Sequence, residues 1–79
     1  MPTVLSIEGF AFRIYHDDHE PPHVHVFRAG EQCVVNLGDG DTLPSLRETY
    51  MSRAHTRRAM EIAYENQDYL LRKWDDING

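Results

Sequence analysis

The chain has 79 residues, 41% of them hydrophobic and 27% charged, with a formal net charge of −5 when histidine is neutral. That composition belongs to a soluble globule rather than a disordered tail, and the length suits one domain, 1–79, whose single core buries about 60% of the unfolded surface. The acidic balance argues against sequence-independent nucleic-acid binding. One cysteine excludes an intramolecular disulfide and any multi-cysteine zinc site. With no signal peptide and no apolar run near 18 residues, the expectation is a cytoplasmic protein without a membrane partner.

Thr3 to Ile7 is a short β-like run that stops at Glu8-Gly9. Phe10 to Tyr15 then alternates, with Phe10, Phe12 and Ile14 on one face and Ala11, Arg13 and Tyr15 on the other, so Gly9 turns a hairpin. His16 to Pro22 is a polar connection. Asp17 and Asp18 favour turns, and Pro21-Pro22 stiffens the approach to a strand over 23–27. Arg28-Ala29-Gly30-Glu31 is a hairpin turn, and Gln32 to Leu37 is the return strand. Cys33 falls in its apolar stretch, which predicts a buried, inert thiol.

Gly38 to Asp41 is a loop. Leu43 to Tyr50 suits a short edge strand, because Pro44 bars a central one. From Ser52, a plausible N-cap, the period becomes 3.6: Thr56, Ala59, Ile62, Ala63, Asn66, Leu70 and Trp74 form one stripe. The helix predicted within 52–77 has a periodic run of roughly 23 residues, about 35 Å long. The expected fold is therefore α+β, an antiparallel meander of four to five strands in 1–50 covered on one face by one long C-terminal helix. Its other face is left open, and function is expected there. A domain this small also leaves room for a second copy to add stability, so a homodimer is one expected state.

Four of the five histidines, His16, His19, His23 and His25, lie within ten residues. His23 and His25 are two apart in a strand, so both imidazoles project from one face while Val24 and Val26 project from the other. Such a pair can bind metal, share protons or grip an anion. A zinc or nickel reading draws on His23 and His25, with His16, His19, Asp17, Asp18 or Glu20 completing three or four ligands at about 2.0–2.1 Å. An acid–base reading suits RNA cleavage, since histidine titrates near pH 6.5; His23, His25 and Glu20 would be catalytic, as in a small ribonuclease-like hydrolase or transesterase. Arg28 or Arg13 would steady the phosphate, although Arg28 faces away from the histidines in an unbroken strand. The bland reading is a solvated loop with surface imidazoles.

Phe27 shares the histidine face and could stack or dock a ligand. Arg53, Arg57 and Arg58 crowd the first turns of the helix, against its macrodipole. Pairing of Arg57 and Arg58 with Glu61 accounts for two of them, and Arg53 and Arg57 otherwise offer a phosphate or acidic-partner patch. Asn66, in the apolar stripe, should tie the helix to loop backbone. Trp74 and Tyr69 read as core and rim.

Met1-Pro2-Thr3-Val4-Leu5, Phe10-x-Phe12, Glu20-Pro21-Pro22-His23-Val24-His25-Val26 and the closing Glu65 to Trp74 stretch together resemble the DhiT-like family of short prokaryotic toxin–antitoxin proteins. The resemblance covers essentially the full length, and the Glu-Pro-Pro-His-Val-His-Val string is its most distinctive part. It implies the toxin of a type II toxin–antitoxin module, neutralised by a cognate protein antitoxin, and carries over no catalytic residues. Small metal-binding and noncatalytic protein-binding domains remain the alternatives.

Overall fold

The computed structural model describes residues 3–79, so Met1 and Pro2 of the family-like opening string lie outside the described residues. The elements run β1 (Thr3–Ile7), β2 (Phe10–Arg13), β3 (His23–Arg28), β4 (Glu31–Asn36), β5 (Ser45–Thr49), α1 (Arg53–Glu65) and α2 (Gln67–Asn78). The strands form one antiparallel sheet in chain order, with β3 at its centre and β1 and β5 at its edges. Two of the hairpins turn on residue pairs with positive φ, Glu8-Gly9 (55° and 82°) and Ala29-Gly30 (50° and 82°). That geometry matches the twist of the flanking strands, and glycine adopts it without a Cβ clash.

Alternation then sorts the two faces. Phe12 stands opposite Val26, Val26 opposite Cys33, and Val24 opposite Val35; all five are fully buried. The helices close over them with Ala59, Ile62 and Ala63 from α1 and Leu70 and Trp74 from α2. Burial pushes the Cys33 thiol up to about 11, which keeps it protonated and inert. No helix among the described residues is long and apolar enough to cross a membrane.

The helical region differs from the sequence expectation in one respect: it is broken at Asn66, whose φ of −121° and ψ of 20° leave the helical region. Asn66 does not tie the helix to a loop. Its Nδ2 donates back to the Ile62 carbonyl at 2.8 Å, satisfying the end of α1. The neighbouring Gln67 makes the loop connection instead, with Nε2 donating to the carbonyls of Leu37 (2.7 Å), Asp39 (3.0 Å) and Thr42 (2.7 Å). The break lets α2 take its own direction and bond to two further segments: Tyr69 Oη donates to Val4 O at 2.8 Å, and Asn78 Nδ2 to Tyr15 O at 3.0 Å. Because Gln67 satisfies carbonyls of an otherwise irregular loop, Gln67→Ala should lower the unfolding free energy by about 1–3 kcal/mol, read as a shifted urea midpoint at unchanged slope.

Ser52 caps α1 as expected, accepting from the His55 N–H at 3.2 Å. Arg58 takes both Glu61 (3.3 Å) and Glu8 (2.7 Å), whereas among the described residues no ion pair joins Arg57 to Glu61. Nearby, His55 Nδ1 lies 2.8 Å from a Glu31 carboxylate oxygen and its Nε2 lies 3.4 Å from Arg28. The Arg58 hydrogen bonds hold Glu8 below its ordinary range, and His55 does the same for Glu31. A depressed carboxylate pKa means that the unfolded chain takes up protons first as pH falls. The stability these groups supply is therefore present above about pH 4.5 and lost below it. In acid titrations followed by circular dichroism, Glu8→Gln with Glu31→Gln should lose stability less steeply from roughly pH 5 to pH 3 than the parent.

Candidate metal centre

Val24 and Val26 enter the core at full burial, so the residues that alternate with them, His23 and His25, are forced onto the opposite side of β3. Their ring centroids are 5.2 Å apart, which bears out the pairing read from the strand period. The side is not uniformly open, however. His23 is only 5% exposed, because its ring packs against the Trp74 indole of α2 at 5.3 Å between centroids. The expectation of two imidazoles on an uncovered face is corrected at this point. His23 lies at the start of β3, where the 14–22 connection and α2 close over it, whereas the His25 side chain keeps 27% exposure beside the Tyr15 ring (4.9 Å). Of the two imidazoles read as an acid–base pair, only that of His25 is presented to solvent.

The diproline holds this arrangement through its carbonyls. Pro22 O accepts from the Leu37 N–H at 2.9 Å, tying the connection to the end of β4. Pro21 O lies 2.9 Å from His23 Nδ1. A carbonyl only accepts, so Nδ1 carries the hydrogen, and in the neutral ring Nε2 presents a lone pair.

That lone pair meets Asp18. Its Oδ2 is 3.3 Å from His23 Nε2 and 3.6 Å from His25 Nε2, and it is buried without a hydrogen-bond partner. One ligand atom from each residue falls within 4.8 Å of the others. Partial burial, and after it the charge of His23, hold His25 below the ordinary histidine range; Asp18 pulls the other way without reversing the shift. Two imidazole nitrogens and a carboxylate oxygen thus converge, and with both rings neutral and both Nε2 atoms unprotonated a divalent cation would satisfy all three. Ligands at about 2.0–2.1 Å from a tetrahedral zinc stand roughly 3.3–3.4 Å apart, close to the two separations Asp18 makes.

A family model for a domain of unknown function, DUF4160, matches residues 9–75. The chain belongs to the DUF4160 family. Comparisons with curated proteins and with solved structures find no match. The matched span takes in the whole centre of this DUF4160 domain, from Tyr15 through Trp74.

The other candidates of the DUF4160 chain separate. His16 is exposed and pairs with Asp17 at 3.1 Å, and neither His16, His19 nor Glu20 joins the cluster. Arg13 lies over the Phe27 ring at 4.3 Å, with its Nε buried and unpaired, so Phe27 is partly capped rather than free to stack. Arg28 is on the helix side, as strand alternation demands, over Phe10 at 5.2 Å. Arg53 and Arg57 line a separate cleft at the start of α1. Sequence reading did not single out Asp18 from its acidic neighbours, since a turn has no period, and it missed the contact of His55 with Glu31. His23→Ala should remove about 2 kcal/mol or more of stability in chelator, by opening space beneath Trp74. His25→Ala should cost less, and urea unfolding of the two metal-free variants gives the comparison.

Proposed function

We propose that this DUF4160 domain works as a divalent-metal centre of the zinc class, with Asp18, His23 and His25 as ligands and a fourth position left on the exposed side of His25. The observation that carries it is the Asp18 carboxylate oxygen, buried without a hydrogen bond and 3.3 and 3.6 Å from two imidazole nitrogens. Pro21 fixes the His23 tautomer through its carbonyl, and Trp74 fixes the ring plane, the kind of outer support that metal ligands commonly receive. A bound cation would supply a polarised water or substrate oxygen at the fourth position. Zinc and nickel both suit imidazole ligands, and two imidazoles with one carboxylate and an open position form a zinc set that non-haem iron(II) shares.

Trp74, the only tryptophan, touches a ligand ring and so reports on the site. Zinc titrated into chelator-treated protein should change its emission with a one-to-one endpoint. Asp18→Asn should weaken binding by roughly a hundredfold. In chelator at alkaline pH, where both rings are neutral, the same variant should be as stable as the parent or more so, because it removes a buried carboxylate oxygen that has no hydrogen bond. Absence of stoichiometric zinc, nickel or iron(II) binding in folded parent protein would sink the reading.

The resemblance to DhiT-like proteins supports a biological setting for the centre: a cytoplasmic toxin restrained by a protein antitoxin, with RNA as a substrate for the cation-activated water. Expression of the parent alone should arrest growth, and co-expression of the neighbouring gene product should relieve it. Asp18→Asn should be harmless at equal abundance. An innocuous parent, or an Asp18→Asn variant as toxic as the parent, rejects this setting while the metal titration stands on its own result.

A further inference from the structure

We propose that the free edge of β5 receives an extended, acidic polypeptide segment, which continues the sheet as a further strand and places carboxylates on Arg53 and Arg57. The two edges of the sheet are unlike. On β1 one carbonyl is already taken and the strand is partly buried, since α2 sends Tyr69 to Val4 O at 2.8 Å. Among the described residues no side chain bonds to the backbone of Ser45–Thr49, and all five residues of β5 are exposed. An edge of this kind presents a row of unsatisfied N–H and C=O groups, the template for strand addition.

Apolar side chains gather on the same strip. Of the four exposed large hydrophobic residues among the described residues, Leu43 (72%), Leu46 (41%) and Tyr50 (70%) lie in or beside β5. Next to them is a cleft of about 450 Å³ lined by Thr49, Met51, Arg53, Thr56 and Arg57. Its walls are joined by a bond between the Thr49 and Thr56 hydroxyls at 2.8 Å, so the strand end and the helix are held at a set spacing.

The charge of the strip selects the partner. In a chain of net charge −5, Arg47, Arg53 and Arg57 make no ion pair among the described residues, and Arg47 bonds only to the Asn36 side chain. Arg53 and Arg57 also oppose the α1 dipole, a cost that a partner's carboxylates would offset. Glu48 is the one carboxylate on β5. A polypeptide satisfies the backbone row, the apolar residues and the cations together, whereas a nucleic acid satisfies only the cations. The cleft that holds Arg53 and Arg57 is lined by none of Asp18, His23 and His25, so substitutions at 53 and 57 test it apart from the metal reading.

The probe is a blocked heptapeptide, Glu-Val-Glu-Ile-Glu-Val-Glu, titrated into the nitrogen-15-labelled full chain. Saturable amide shifts are expected at Ser45–Thr49 and at Arg53–Arg57, with affinity falling as salt rises. Arg53→Glu with Arg57→Glu should weaken binding roughly tenfold or more. Glutamate at position 53 favours the helix dipole, so an unchanged circular dichroism spectrum separates lost binding from lost fold. The proposal is overturned if the peptide gives no saturable shift at about millimolar concentration, if the shifts fall elsewhere, or if a lysine version binds equally well. It is overturned equally if decauridylate binds the same residues more tightly. A dimer in sedimentation analysis that Leu46→Lys dissociates would assign the edge to a second copy and likewise reject it.

Discussion

The two-residue period of the central strand is the constraint on which the rest of the molecule turns. Val24 and Val26 are fixed by the core, and their burial between the sheet and the two helices leaves His23 and His25 no choice of side. A one-residue slip of β3 would bring both imidazoles into an apolar core and expose both valines. Hydrophobic packing thus pays for the positioning of polar groups that contribute little to the core themselves. The neighbouring strands lock the register, with His25 held opposite Arg13 on one side and Val34 on the other.

The second determinant is α2. By starting afresh after Asn66 it reaches three separate segments, through Gln67 to the 37–42 loop, Tyr69 to β1 and Asn78 to Tyr15. These bonds place Trp74 over His23, which converts one of two equivalent-looking histidines into a buried, oriented group while its neighbour keeps contact with solvent. Burial and charge then act on the pair unequally. Asp18, delivered by the connection before the diproline, meets both nitrogens without forming a hydrogen bond to either, so its Oδ2, like Arg13 Nε, is a buried polar atom left without a hydrogen-bond partner.

Elsewhere the polar groups are better satisfied. Arg58 gathers Glu8, Glu61 and Glu65, and His55 bridges Glu31 and Arg28, which together tie α1 to both of the positive-φ hairpin turns. These pairs are solvent-screened and add modest stability. Their value is positional: they set where α1 begins, and so where Arg53 and Arg57 stand relative to β5.

Much of the fold was legible in residue order, because periodicity is local. The alternation of Phe10, Phe12 and Ile14, the hairpin turns at Gly9 and Gly30, the edge position of the strand after Pro44 and the Ser52 cap all follow from spacing and turn chemistry. The pairing of His23 with His25 was legible for the same reason. Which acidic residue joins them, which histidine is buried, and that Gln67 rather than Asn66 reaches the loop were decided by tertiary structure. Those outcomes depend on the direction of α2 and the path of an aperiodic connection, and both are set by contacts between residues far apart in the chain.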